Sequence, residues 1–211
     1  MPERIPIMGR LVTLEPLDAA THGDDLWNGI RDHDDLWLYL FDGPFPDRGE
    51  FLESLARKTA SCDPLFFAIV DNALHRALGY ASFMRIDPTH GVIEVGSILY
   101  SPALQRTPAA TEAMYLMARH VFEALGYRRY EWKCNALNEP SRRAAVRLGF
   151  TFEGIFRQHM VVKGCNRDTA WYSMLDSEWP TRKAAFERWL DSANFDQQGR
   201  QRRRLLMPDG K

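Results

Sequence analysis

The residues best suited to chemistry lie at one junction of the sequence, where a β-rich run is followed by a helix. The junction reads SPALQRTPAATEA over residues 101–113. A helix N-terminus presents unpaired backbone N–H groups and about half a positive charge. Small residues there let an anion approach the backbone closely. The small, cationic and hydroxyl-bearing residues of the junction are Arg106, Thr107, Ala109, Ala110 and Thr111. The pattern favours a phosphate or pyrophosphate site.

The same residues also fit an ordinary helix start. Thr107 is a suitable N-cap, and Pro108 is suited to the first helical position. Spacing alone leaves both interpretations open.

Length and composition are those of one globular domain with a short extension. The chain has 211 residues, of which 45% are apolar and 26% are charged, so one large core can form. We predict a single domain over residues 1–192 and a basic, flexible tail over residues 193–211. The net charge of −1 argues against nucleic acid as a partner. No apolar run approaches the roughly 18 residues of a membrane span, so no membrane partner is expected.

The cysteines and histidines are too scattered for a disulfide framework or a metal site. Cys62, Cys134 and Cys165 have no C-x-x-C spacing, and the six histidines form no H-x-x-x-H pair. We therefore predict no metal, and reduced thiols in a cytoplasmic protein.

Hydrophobic patterning predicts the element order β, α, α, β, β, β, α, β, α, β, β. Strands predicted at 64–70, 77–86 and 92–100 are separated by short polar connections typical of an antiparallel meander. A helix at about 109–125 joins the strand at 92–100 to one at 128–134, so these two strands should be parallel. The predicted fold class is α+β, with α/β-type packing in three layers: a mixed, mostly antiparallel seven-stranded sheet with flanking helices.

Three later segments, together with the element order, resemble a known family. They read EVGSILYSPALQRTPAATEA from residue 94, NEPSRRAAVRLGFTFEG from residue 138 and FRQHMVVKGCNRDTAWYSMLDSEW from residue 156. They are similar to the acyl-CoA-binding core and closing hairpin of the GNAT-superfamily N-acetyltransferases, and to the RimJ/RimL-like branch in particular. The resemblance covers about residues 9–180.

One position departs from the family pattern. The phosphate motif of the superfamily is Q/R-x-x-G-x-G/A; Gln105 and Ala110 match it, but Pro108 stands at the glycine position. Proline has no N–H, so one backbone donor to the pyrophosphate is missing. Arg106 can compensate through charge-assisted contacts; otherwise the cofactor would bind weakly or another acyl-CoA would be preferred.

The resemblance implies transfer of an acetyl group from acetyl-CoA to a primary amine, on a small molecule or a protein N-terminus, by direct attack. It also implies that the chain can form a homodimer, because members of the branch often dimerise. Two other functions stay open. One is a non-catalytic acyl-CoA sensor, which Pro108 makes conceivable. The other is a ribosome- or RNA-associated module that uses the basic tail around 200–204.

Glu94 is the candidate general base for that reaction. It interrupts the apolar run VIEVG on the strand that leads to the junction. Partial desolvation there would raise its pKa and allow it to take a proton directly or through water. The alternative is a strand carboxylate that faces solvent or a basic partner.

Ser141 is the candidate donor to the departing thiolate. It lies in the first turn of a predicted helix, and the resemblance places it and Asn138 beside the pantetheine arm and the thioester sulfur. The alternative is simple capping of that helix by either residue. Tyr100 and Tyr130 are alternative donors.

The resemblance further implies a splayed central strand pair that accepts pantetheine. The main chain of Ile98, Leu99 and Tyr100 would pair with the pantetheine amides. Gly96 is consistent with a β-bulge at this position.

Aromatic and polar residues outside the junction are candidates for an acceptor pocket. The aromatic ones are Trp37, Tyr39, Phe41 and Phe45, and the polar ones, in the last two strands, are Arg157, His159 and Asp168. The alternatives are packing of the N-terminal helices on the sheet and a salt-bridged hairpin.

Overall fold

The computed structural model describes residues 1–207. Its strands, in chain order, are β1 Ile7–Met8, β2 Val12–Pro16, β3 Leu65–Asp71, β4 Arg76–Asp87, β5 Val92–Tyr100, β6 Arg129–Asn135, β7 Thr151–Val162 and β8 Cys165–Leu175. Its helices are α1 Ala19–Ile30, α2 Arg48–Ala60, α3 Pro108–Arg119, α4 Glu139–Arg147 and α5 Trp179–Leu190. Short 3₁₀ turns lie at Asp34–Trp37 and Ser192–Asn194, and a π-helical turn at His120–Ala124 continues α3. Within residues 1–207, no helix is both long and apolar enough to span a bilayer.

The sheet confirms the predicted α+β class and its parallel pair. The strand order is β1-β2-β3-β4-β5-β6-β8-β7, and in the part of the chain that the structure describes only β5 and β6 pair in parallel. The described residues form eight strands, one more than predicted, because β1 pairs with β2 at the edge. A two-residue strand carries too little pattern to be recognised in a sequence.

Local signals fix where the two helices next to the parallel pair begin. The side chains of Thr107 and Asn138 accept hydrogen bonds from the backbone N–H groups of Ala110 at 3.2 Å and Ser141 at 3.1 Å, which is the usual capping role of these residue types. A proline in the first turn of each helix supplies a φ suited to a helix start. Both helices therefore begin in the loops that follow β5 and β6.

A bulge in β5 changes which face of the sheet its side chains occupy. Ile93 and Val95 lie in the core with α3 and α5, whereas Leu99 packs with α1 and α2. In a regular strand these evenly spaced residues would share one face. The register with β4 shifts between Gly96 and Leu99, where Ser97 has a φ of 49°. The inserted residue reverses the alternation, one position beyond the predicted bulge.

The sheet face that packs on α1 and α2 becomes charged on the far half of the sheet. Glu94 of β5, Glu131 and Lys133 of β6 and Arg167 of β8 are mostly buried there. The segment 37–45 extends over this region: the ring centroid of its Phe41 lies 4.9 Å from Cζ of Arg167, and its Trp37 carbonyl accepts from Lys163 Nζ at 2.8 Å. Glu94, Glu131, Lys133 and Arg167 are called the charged face below.

The described part of the C-terminal segment folds back against α5. Asn194 Nδ2 donates to the Trp189 carbonyl, and Asn194 Oδ1 accepts from the Arg203 N–H, both at 2.9 Å. Leu205 is buried in the main core. Asn194, Arg203 and Leu205 therefore contact the domain, while residues 197–204 are exposed, and the flexibility of the tail stays a prediction. The remainder of the predicted tail, 208–211, lies outside the described residues.

Candidate active site

A gap opens in the middle of the sheet where the parallel pair separates. β5 and β6 remain paired only as far as Val95 and Trp132. Beyond that point β5 continues to Tyr100 along β4, so the edge of β5 that faces β6 has no strand partner among residues 1–207. The main chain of Ile98, Leu99 and Tyr100 forms this free edge, in the place where the resemblance implies a wedge for pantetheine.

The N-terminus of α3 retains a backbone donor near the gap. Pro108, at the first helical position, has no N–H, and the Ala110 N–H donates to Thr107 Oγ1. The Ala109 N–H is then the first-turn amide that neither helix nor cap uses in the described structure. Arg106 is exposed directly before the cap, with a φ of 61°. The junction therefore offers fewer backbone donors than the family motif, together with one added cation.

Two other junction side chains already have protein partners. Gln105 Nε2 donates to the Tyr100 carbonyl at 3.2 Å, and Thr111 Oγ1 accepts from Arg147 Nη1 at 3.1 Å. Gln105 is exposed and can exchange its partner for a ligand. Thr111 is buried, but a hydroxyl that accepts one hydrogen bond still has its own hydrogen to donate.

Ser141 is oriented by the last residue of β6 that pairs with β5. Its Oγ accepts a hydrogen bond from the Trp132 indole N–H at 3.0 Å, so the hydroxyl lies beside the point where the gap opens. The indole occupies one lone pair, so the hydroxyl can still donate its hydrogen. The buried Cys134 side chain is a competing acceptor, since its interaction with Ser141 opposes the burial that raises the pKa of Cys134. Asn138 caps α4 with its side chain, which leaves the Ser141 side chain outside the capping interaction.

Glu94 combines burial with one available oxygen. Lys133 Nζ and Arg85 Nε both contact the same carboxylate oxygen, Oε2, at 2.9 and 3.3 Å. Within residues 1–207 the hydrogen bond to this carboxylate, from Lys133, goes to Oε2, and no hydrogen bond is made to Oε1. Burial raises the pKa of Glu94 above its ordinary value, against the pull of Lys133 and Arg85. The alternative interpretation of Glu94, a carboxylate that faces a basic partner, is therefore met by Lys133 and Arg85. A raised pKa and an oxygen without a hydrogen bond are also what a general base requires.

Glu131 has the opposite electrostatic character, although it shares Lys133 with Glu94. Its Oε2 lies 2.6 Å from Lys133 Nζ, and its Oε1 lies 2.6 Å from Arg129 Nε. Burial disfavours its charge, but hydrogen bonds from Lys133 and Arg129 outweigh that effect and lower the pKa of Glu131. Neighbouring carboxylates whose pKa values are pushed apart commonly have different roles, and here Glu94 is the one suited to accept a proton.

A small cavity of about 30 Å³ lies next to Glu94 on the charged face. Its lining residues are Phe41, Met84, Arg85, Glu94, Gly96, Ser97, Lys133, His159, Met160, Arg167 and Thr169. It adjoins the bulge that opens the free edge of β5. A larger depression of about 320 Å³ lies near His90 and Arg128, but it contains none of the predicted site residues.

An irregular stretch of β7 turns His159 toward this cavity. The register with β8 shifts between Phe156 and Met160, and Gln158 in between has a φ of 49° and donates its N–H to Asp168 Oδ1 at 2.8 Å. His159 Nδ1 lies 2.9 Å from the Thr169 hydroxyl. Burial, followed by the nearby cations, lowers the pKa of His159, so its imidazole is neutral at neutral pH.

The other residues predicted for the acceptor pocket lie outside the cavity, except Phe41. Trp37 and Phe45 pack edge to face in the core under α1 and α2, with ring centroids 5.0 Å apart. The Tyr39 hydroxyl donates to the Leu137 carbonyl at 3.2 Å. Arg157 is exposed on β7. Of the predicted aromatic group, Phe41 is the member that lines the cavity.

Sequence reasoning missed three cations of the cavity wall, Arg85, Lys133 and Arg167. Lys133 had a usable signal, because it follows Glu131 at strand spacing in RYEWKC, on the strand predicted to run beside Glu94. The other two had none, since they lie on strands whose register the sequence does not give. Within residues 1–207, no group of His, Cys, Asp and Glu side chains is suited to hold a metal ion.

Known proteins match this arrangement across most of the chain. Residues 11–151 match the family model described as Acetyltransferase (GNAT) domain. A solved GCN5-related N-acetyltransferase from Brucella melitensis is 54% identical, with a TM-score of 0.95 over 97% of this chain and 93% of its own. A probable GNAT-family acetyltransferase from Chromobacterium violaceum is 44% identical, with a TM-score of 0.80 over 85% of this chain and 90% of its own.

Curated relatives match a shorter part of the chain. The ribosomal-protein-serine acetyltransferase of Escherichia coli is 28% identical over 102 residues, which are 48% of this chain and 56% of that protein. The chain spans just over half the length of the curated relatives it matches. The chain belongs to the GNAT acetyltransferase family, and the resemblance seen in the sequence is confirmed.

Proposed function

We propose that this protein is an acetyl-CoA-dependent N-acetyltransferase that acts on a primary amine, with Glu94 as the general base. The observation that carries the proposal is the free edge of β5 beside a cavity that contains Glu94. Thioester and amine can then approach each other from the two sides of the same gap. Membership of the GNAT family supports the acetyl-transfer class.

The residues at the gap fit acetyl-CoA. The Ala109 N–H, the Arg106 guanidinium and the Thr111 hydroxyl would hold the diphosphate. The Thr107 hydroxyl, predicted for the same role, already donates to the Leu104 carbonyl at 2.7 Å and acts as the cap of α3. The main chain of Ile98 to Tyr100 would pair with the pantetheine amides. Acetyl-CoA supplies the activated acetyl group, and the protein supplies orientation and proton transfer.

Proton transfer divides between two residues on opposite sides of the gap. Glu94 Oε1 would take the proton of the attacking amine, directly or through one water. A lysine-like amine has a pKa near 10.4, so it must lose a proton before it can attack. Ser141 would donate its hydroxyl hydrogen to the departing thiolate, while Trp132 holds its oxygen in place.

The acceptor belongs to one of two classes, a small-molecule amine or a protein N-terminus. The E. coli relative is named for acetylation of a ribosomal protein, which favours a protein N-terminus. The cavity volume of about 30 Å³ admits only a small group, so the rest of either acceptor would extend past Phe41.

Self-association through β7 is part of the proposal. β7 is the last strand of the sheet and carries exposed apolar side chains, which favour pairing with a second copy. They are Phe152, Ile155, Phe156 and Val161. Sedimentation equilibrium should show a dimer that Val161→Lys weakens, and a monomeric wild type would contradict it.

Thiol release from acetyl-CoA in the presence of an amine panel tests the enzymatic function. Calorimetry with acetyl-CoA, run in parallel, measures binding alone. Binding with amine-dependent thiol release supports the proposal. Binding without release from any amine would instead indicate an acyl-CoA sensor, and a lack of binding would contradict both functions.

A further inference from the structure

The cavity beside Glu94 contains a cation for which the proposed mechanism has no use. Arg167 of β8 is only 6% exposed. Within residues 1–207 it takes part in no ion pair, and its Nε has no hydrogen-bond partner. Its main contact is the ring of Phe41, 4.9 Å from Cζ. The guanidinium is therefore buried against an aromatic ring, and its N–H donors have no acceptor within residues 1–207.

The neighbouring charges do not supply the missing partner. Glu94 is the one carboxylate of the cavity wall, and its paired oxygen serves Lys133 and Arg85. Glu131 is held between Lys133 and Arg129. Burial lowers the pKa of Arg167, but a guanidinium stays charged at neutral pH. The cavity wall therefore carries excess positive charge.

Such an arrangement costs stability in the free protein. A buried charge without a counter-ion is less favourable than an apolar side chain of similar volume. Buried, perturbed ionisable groups in clefts are concentrated at functional sites. The cost is offset when a ligand brings the counter-ion into the cavity.

We propose that Arg167 binds a carboxylate of the acyl acceptor, so that the substrate is a primary amine that also carries an acid group. The planar fork of a guanidinium matches a carboxylate, and the pair is strong when desolvated. The cavity of about 30 Å³ is large enough for one such group. Because Glu94 lines the same cavity, amine and acid must be close together in the acceptor. This inference rests on the proposed function.

Two sources present this pair of groups. One is a free amino acid, whose carboxylate adjoins its amine. The other is a protein N-terminus with an acidic side chain at its second residue. The chemistry recognised by Arg167 is the same, and the substrate panel separates the two.

The test compares wild type with Arg167→Met on matched amines. One arm pairs free amino acids with their amides; the other pairs C-terminally amidated peptides that have Glu or Gln at the second residue. The kcat/KM for thiol release from acetyl-CoA is measured, and the wild-type-to-variant ratio is taken for each amine, which cancels intrinsic reactivity. In the arm that contains the true class of acceptor, we expect the wild-type-to-variant ratio of kcat/KM to be about 10–100 for the acid member and near 1 for its neutral match. Arg167→Lys should recover part of the loss.

A surface control and a melting measurement separate binding from structure. Arg57→Met removes an exposed arginine of α2 and should leave every ratio near 1. Arg167→Met should melt no lower than wild type, because it removes an unpaired buried charge. A lower melting temperature, with equal losses for acid and neutral members, would show a structural role and overturn the inference.

The remaining outcomes distinguish this inference from the proposed function. Equal ratios for acid and neutral amines in both arms would overturn the role of Arg167 and leave acetyl transfer standing. Absence of thiol release with every amine would overturn the transfer itself, and the inference with it.

Discussion

The two sides of the sheet gap are built in different ways. On the proposed cofactor side, the groups that would face the ligand are mainly backbone N–H and C=O groups, set by the ends of β5 and α3 and by caps such as Thr107 and Asn138. On the acceptor side they are charged side chains, including Arg85, Lys133 and Arg167, which come from three different strands.

This difference separates cofactor binding, which the family shares, from recognition of a particular acceptor. Backbone groups exist whatever the side chain, so we expect the proposed cofactor side to tolerate a change such as Pro108 with the loss of one donor. The structure of the proposed acceptor side depends on the balance of charges, because its charged side chains interact with one another. We therefore expect one substitution there to change both the chemistry and the choice of substrate.

The largest expected effect is on the acceptor side. Glu94→Gln should lower kcat by about 10²–10⁴-fold with little change in acetyl-CoA affinity, because it removes the proton acceptor. Since the base must be deprotonated and burial raises its pKa, wild-type kcat/KM should rise with pH through a value above the ordinary range for glutamate. That rise should be absent from the pH profile of the variant.

Glu131→Gln is the matched control for Glu94. It also removes a carboxylate from Lys133, but Glu131 does not line the cavity. Glu131→Gln should melt lower than Glu94→Gln, because folding favours the charge of Glu131 and disfavours that of Glu94, and the control should keep most of its turnover. Equal losses of turnover would indicate that the charge network, rather than a base, is what matters.

The next effect concerns the leaving group. Ser141→Ala should lower kcat by about 10–100-fold, the range expected for one hydrogen bond to a charged group. Acetyl-CoA affinity, measured by calorimetry, should change little. Trp132→Phe removes the indole that orients the hydroxyl and should produce part of the same loss. Full activity of Ser141→Ala would assign the residue to packing around α4.

On the cofactor side the effects should be smaller and limited to binding. Arg106→Ala should weaken CoA by about 1–2 kcal/mol, because an exposed cation in contact with phosphate is partly screened. Calorimetry with pantetheine that lacks the diphosphate provides the comparison. An equal loss for that ligand would contradict a phosphate contact.

The smallest expected effect is a gain in CoA affinity. Pro108→Ala restores a backbone N–H at the position where the family motif has glycine, and it should tighten CoA by about 0.5–1 kcal/mol. Pro108→Gly should do the same if the N–H is responsible. If only the glycine variant tightens binding, backbone freedom rather than the missing donor is the cause.

The local structure around the ends of β5 and β6 could be predicted because its determinants are close together in the sequence. Thr107 and Asn138 cap the helices they precede, and one intervening helix is enough to make β5 and β6 parallel. Gln105 and Arg106 lie directly before the Thr107 cap, and Ala109 lies in the first turn of α3. The acceptor side could not be predicted in the same way: Trp37 and Phe45 fit a pocket by residue type, but they belong to the core.

The sequence by itself determined the fold class, the crossover, the helix starts and the presence of a carboxylate at Glu94, because periodicity and capping act over a few residues. Only the tertiary structure decided which charges meet Glu94. That outcome depends on strand register and on irregular positions such as Ser97 and Gln158, which turn side chains from one face of the sheet to the other. Register is set by pairing between distant segments, so the environment of Arg167 exists only in the folded protein.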